Sequence, residues 1–178
     1  AIECPIMVVH PNHSDSLPLG REVMKRNSIE AIGKVVEKAE DLGVKVAVEN
    51  MIDKEGGRFG SRVSELREII KSVGSSHLGI CFDTGHTNLL TSSNISIQDE
   101  IVQAGEYLWT LHVHDNDGEA DRHWPPGMGS IDWSQVIGSL GKIGYKGVFM
   151  MEIQERGDPD AQARECLRIV TEMLANAD

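Results

Sequence analysis

Five short apolar runs, each stopping on a residue able to bind a metal ion, constrain this chain more than any other feature of it. They are Met7-Val8-Val9-His10, Val46-Ala47-Val48-Glu49, Ile80-Cys81-Phe82-Asp83, Trp109-Thr110-Leu111-His112 and Phe149-Met150-Met151-Glu152. Runs this short, rich in β-branched and bulky side chains, read as buried strands. A strand alternates its side chains, so each terminal residue can be assigned a face. Glu49 lies with Ala47, Asp83 with Cys81 and Gly79, His112 with Thr110 and His114, Glu152 with Met150 and Val148, and His10 with Val8. Laid parallel and side by side, such strands bring five ligand-type groups to one rim of one sheet.

Helical patterns separate the strands. The first places Ile29, Ile32, Val35, Val36, Ala39 and Leu42 on one face and stops at Gly43; the second gathers Val63, Leu66, Ile69 and Val73 before Gly74. A third, over about residues 96–107, is weakly patterned. The fourth opens at Asp132 with Gln135 three residues on, a capping arrangement, and buries Trp133, Val136, Ile137 and Leu140. The last begins at Asp158-Pro159 and buries Ala163, Leu167, Val170 and Met173 or Leu174. Strand then helix, five times over, implies an α/β fold with a parallel sheet and right-handed crossovers. Sites of such sheets lie at the carboxyl ends of the strands. Two loops follow strand ends there: the glycine-rich residues 50–60, and residues 115–131 with Asp115, Asp117, Asp121 and His123.

The 178 residues suit a single domain, and 40% apolar with 25% charged residues is the balance of a soluble globule. No run approaches the length of a membrane span. Cys4, Cys81 and Cys166 are odd in number and far apart, so they read as reduced thiols in a cytoplasmic protein. The net charge of −11 argues against a nucleic-acid partner, whose phosphates require neutralising cations.

Glu49, Asp83, His112 and Glu152 together form a mixed oxygen and nitrogen donor set. It suits Mn²⁺ or Zn²⁺ first, with Mg²⁺ or Co²⁺ as alternatives, and has no thiolate of the kind closed structural zinc sites use. Three carboxylates crowded at one rim repel each other unless a cation joins them. His86, one turn past Asp83, and the Asp121-x-His123 pair supply further ligand-type groups.

The motifs His10-Pro11-Asn12-His13, Val48-Glu49-Asn50, Cys81-Phe82-Asp83-Thr84-Gly85-His86, His112-Val113-His114-Asp115-Asn116-Asp117 and Asp121-Arg122-His123, with Gly127-Met128-Gly129-Ser130-Ile131-Asp132-Trp133, occur in this order along the chain. In that combination the sequence resembles the xylose isomerase-like TIM-barrel superfamily, above all its sugar phosphate isomerase and epimerase branch; it also resembles endonuclease IV. The resemblance implies a (β/α)8 barrel, of which residues 1–178 form a single domain holding the last five β/α units of eight. It implies metal ligands at Glu49, Asp83, His112 and Glu152, with Glu49 and Glu152 as the acid and base of a divalent-metal-dependent sugar or sugar phosphate isomerase or epimerase. Proton abstraction next to a carbonyl would pass through a metal-stabilised enediolate.

His10, His86 and Trp124 are the expected contacts to the sugar. The endonuclease pattern would add further metals at His10, His86, Asp121 and His123, although another histidine of that pattern has no counterpart here. The alternatives are a zinc phosphodiesterase acting at abasic DNA sites, a lyase of inosose dehydratase type, and a metal-binding fragment without catalysis. An incomplete barrel leaves two open sheet edges, so a homo-oligomer or another pairing that covers them is expected.

Overall fold

The structure, a computed structural model, describes residues 3–53, 56–90, 94–155 and 157–175. Five parallel strands form one sheet in the order β1-β2-β3-β4-β5: Ile6–Val9, Lys45–Glu49, Leu78–Asp83, Leu108–Val113 and Phe149–Met151. Helices α1 (Arg21–Asp41), α2 (Val63–Val73), α4 (Ile97–Ala104), α5 (Trp133–Lys142) and α6 (Pro159–Ala175) follow the successive strands. A short extra helix, α3 (Thr84–Asn88), springs directly from the end of β3. All four strand pairings are parallel.

The sheet is strongly curled. β2 and β5 stand three places apart, which a flat sheet would translate into roughly 14 Å. Yet the carboxylates of Glu49 and Glu152 belong to one group of ligand atoms all within 4.8 Å of one another. The five strands are therefore an arc of barrel wall. On its convex side Val46, Val48, Ile80, Phe82, Leu111 and Val113 pack against Met24, Ile32, Val36, Leu66, Ile69 and Val136 of the helices, and this is the hydrophobic core. The concave side carries Glu49, Cys81, Asp83, Thr110 and His112.

The helix assignments hold, with differences that share a cause. α1 begins at Arg21, well before the apolar stripe, and Leu42 is its C-cap residue, 66% exposed. The predicted 96–107 helix ends at Ala104, with a 3₁₀ turn over Gly105–Tyr107. α5 has the expected cap, Asp132 accepting from the Gln135 amide. In α6 Val170 is buried, but Leu167 is 68% exposed and Leu174 is exposed too. Both flank an apolar groove of about 530 Å³ that runs between α6 and the free edge of β5. Val148 and Met150, on the concave face of that edge strand, are likewise exposed. Pattern identifies an apolar face, whereas burial also requires a neighbour across it. Lys54 and Glu55 of the glycine-rich loop lie outside the described residues.

The register between β3 and β4 shifts at Ile80/Cys81. Trp109 then lies flat across Gly79, where an added Cβ would sit 2.2 Å from Cδ2 of the ring. Trp109 is consequently half-buried under Lys45, whose Nζ is 4.8 Å from the ring centroid, whereas Trp133 is a buried core residue. Gly79→Ala forces the indole off the sheet, which is expected to cost about 1–3 kcal/mol. Urea denaturation of the variant checks this; an unchanged midpoint contradicts the packing.

Candidate metal centre at the carboxyl end of the sheet

Each predicted ligand arrives at the rim because its strand ends there. Glu49 closes β2 and pairs in register with Cys81; Asp83 closes β3 and pairs with His112 on β4. Glu152 is the first residue past β5. The side chain of Glu49 is only 3% exposed, with Oε2 3.4 Å from Nε2 of His10 and 3.3 Å from Nδ1 of His112, and Oε1 3.4 Å from Nδ1 of His86. Glu152 Oε2 lies 2.9 Å from His112 Nδ1, and its side chain remains 46% exposed. Ligand atoms of Glu49, Asp83, His112 and Glu152 all fall within 4.8 Å of one another.

The donors fit a divalent cation. His112 Nδ1 is buried and makes no hydrogen bond, although two carboxylate oxygens crowd it. A buried ring nitrogen crowded by two carboxylates is suited to share a cation with them. Hard carboxylate oxygens with one imidazole suit Mn²⁺, Mg²⁺, Co²⁺ or Zn²⁺. Burial works against protonating His112, but Cys81, Glu152 and Glu49 outweigh it and push its pKa up. The same His112 contact holds Glu152 below the usual carboxylate range. Cys81 lies beneath these groups as a buried thiol, raised to about 11 by desolvation.

A second group adjoins the first. His86 Nδ1 lies 2.8 Å from the Asn50 carbonyl oxygen, and His123 Nδ1 lies 2.7 Å from that of Glu152. A carbonyl only accepts, so both Nδ1 atoms carry hydrogen. Both Nε2 atoms are thereby turned toward Asp121 Oδ2, at 3.8 Å from His86 and 3.1 Å from His123. Pinning one ring nitrogen on a carbonyl so that the other faces outward is how metal-binding histidines are held. Burial disfavours the charged form of His86, but Asp83 and Asp121 raise its pKa to about 9; the Asp121 hydrogen bond raises His123 to about 9 as well.

His10, Glu49, Asp83, His86, His112, Asp121, His123 and Glu152 thus converge. Trp124, in the same loop as Asp121 and His123, exchanges backbone hydrogen bonds with Asp115 and carries the Arg122 guanidinium over its ring. Three residues outside the predicted set contribute. Asn50 staples β2 to β3 by donating to the Asp83 carbonyl and accepting from its amide. Arg58 donates to the Asn12 side chain and carbonyl at the rim. His114 reaches Asp83, as its shared face with His112 already allowed.

An arc of parallel β/α units with carboxylates and imidazoles gathered at the carboxyl ends of its strands is the active face of a TIM barrel. The chain belongs to the xylose isomerase-like TIM barrel family, whose profile matches residues 1–173. It is 33% identical over 183 aligned positions to an uncharacterized protein of Methanocaldococcus jannaschii, covering 99% of this chain and 61% of that one. It is 27% identical over 159 positions to an inosose isomerase of Bacillus licheniformis, covering 85% of this chain and 55% of the relative. The crystal structure of a D-tagatose 3-epimerase-like protein superposes with a TM-score of 0.81 at 29% identity, covering 97% of this chain and 62% of that chain. The chain therefore spans less than two thirds of the length of each. No helix among the described residues is long and apolar enough to cross a membrane.

Proposed function

We propose that this chain carries the catalytic metal centre of a divalent-metal-dependent sugar isomerase or epimerase. One observation carries the reading: Glu49 and Glu152, from strand ends three places apart, each bring a carboxylate oxygen within 3.3 Å of a single imidazole nitrogen in a cluster that also holds Asp83. Glu49, Asp83, His112 and Glu152 would hold the cation, which supplies Lewis-acid polarisation of a carbonyl and the hydroxyl beside it. The two glutamates supply the proton chemistry. One takes the proton from the carbon next to the carbonyl, and the other returns a proton to the opposite face or to the neighbouring carbon. The first outcome is epimerisation and the second isomerisation.

His10, whose exposed ring lies beside Glu49, and His86 would hold substrate hydroxyls. Similarity to an inosose isomerase and to a D-tagatose 3-epimerase-like protein supports a small sugar or sugar phosphate as substrate. Further β/α units, or another copy of the chain, would complete the wall along the free edges of β1 and β5 and the apolar groove beside α6.

The test is a titration of the metal-free chain with Mn²⁺, followed by thermal melting and by elemental analysis. At a hundredfold excess over its dissociation constant a native-state ligand adds about 2.7 kcal/mol, which raises the melting temperature of a chain this size by roughly 5–10 °C. No binding and no shift sink the proposal. Three zinc ions per chain would instead favour phosphodiester hydrolysis, for which the Asp121, His86 and His123 group speaks and the −11 charge speaks against.

A further inference from the structure

We infer that His114 is the positioning residue of this centre, fixing the Asp83 carboxylate from behind and backing the ring of His123. The inference rests on reading the four-ligand cluster as a cation site. His114 is completely buried, the first residue past β4 and two residues beyond His112. Its Nε2 lies 3.1 Å from both Oδ1 and Oδ2 of Asp83. Oδ1 also accepts the backbone amide of His86 at 2.7 Å. Asp83 is thus held on two sides, leaving its remaining lone pairs to face the cluster.

The other ring nitrogen makes the argument selective. Nδ1 of His114 is buried and has no hydrogen-bond partner. Enclosing an unpaired polar atom costs free energy that a leucine of similar volume would not incur. The residue is therefore accounted for by what Nε2 does to Asp83.

The ring is also locked in place. A Cβ on Gly85 would lie 2.0 Å from its Cε1, so α3 can begin against the imidazole face only with glycine there. His123 stacks on the ring, with centroids 4.0 Å apart and planes 7° from parallel. Thr84 Oγ1 donates to the His114 carbonyl and accepts from its amide, which fixes the backbone. One packed ring thus joins a ligand of the first group to the second group, its Nε2 also lying 3.8 Å from Asp121 Oδ1.

Three substitutions separate positioning from packing. Gln places an amide nitrogen near the position of Nε2, Asn carries the same group too short to reach Asp83, and Leu fills the volume without a donor. Mn²⁺ affinity is read from the electron paramagnetic resonance of free ion, and melting of each metal-free variant reports folding. His114→Asn and His114→Leu are expected to weaken Mn²⁺ binding by roughly 10–100-fold, the range for loss of an outer-shell partner, while His114→Gln stays within about threefold of the parent. Equal affinities for the Asn and Gln variants overturn the inference, as does a loss of affinity that only follows a loss of melting temperature across all three. A parent chain that binds no Mn²⁺ overturns the centre itself, a distinct failure visible before any variant is made.

Discussion

Glu152→Gln in the assembled enzyme is expected to lower turnover by roughly 100- to 10,000-fold, the range a positioned acid or base contributes, while leaving the fold intact. Glu152 is half-exposed and only its carboxylate reaches His112, so the amide changes charge and proton affinity with little effect on packing. Glu49→Gln is expected to do more. Its carboxylate is buried and lies within 3.4 Å of the imidazoles of His10, His86 and His112. Removing that charge takes away a ligand and leaves three imidazoles facing an amide, so cation affinity should fall further than for Glu152→Gln. The measurement is solvent deuterium exchange at the carbon beside the carbonyl, across a panel of ketoses, with Mn²⁺ affinity determined in parallel. Exchange in both variants within tenfold of the parent contradicts the two-carboxylate scheme. Equal loss of Mn²⁺ affinity in both contradicts the unequal burial on which the second expectation stands.

How far the sequence reveals this centre is itself a physical question. The two-residue period places Glu49, Asp83 and His112 on one face, and parallel pairing puts them side by side, so strand chemistry alone predicts the rim. Glu152 joins them because the wall curls, and curl is the summed twist of neighbouring strands, which no single run encodes. The loop ligands are harder. Asp121 meets His86 and His123 because residues 115–131 are folded back onto Asp115, an arrangement set by hydrogen bonds between positions far apart in the chain. Trp109 escapes the alternation rule through the shift at Ile80/Cys81. Leu167 escapes the helical stripe: it borders the groove beside β5 and is 68% exposed. In each case the periodic signal is local, and the missing information is which surface lies opposite.

Asp115 is the residue on which the loop ligands depend, and its replacement is expected to be the most destabilising substitution in this region. Its carboxyl group is fully buried. Oδ1 accepts the amides of Asn116 and Ile131 at 2.9 and 3.2 Å; Oδ2 accepts the Gly127 amide and the Trp133 indole N–H, both at 2.9 Å. Its backbone also exchanges two hydrogen bonds with Trp124. One side chain thus fixes both ends of a loop that carries Asp121 and His123, and ties that loop to the first residue of α5. The packing is close: a Cβ on Gly129 would lie 2.3 Å from Oδ1. Asp115→Ala orphans four donors, each costing about 1–3 kcal/mol when left buried. Water reaching the loosened loop recovers part of this, so the expected loss is about 4 kcal/mol, a fall in melting temperature of roughly 8–16 °C. Asp115→Asn sharpens the test. The amide matches the carboxyl group in shape, but its NH₂ must face two donors whichever way it is turned, so it should recover less than half of the loss. Both variants should also weaken whatever cation the Asp121 group holds more than the one held by Glu49. Tolerance of asparagine at Asp115, with urea midpoints of that variant and the parent coinciding, would show that shape rather than acceptor count anchors the loop.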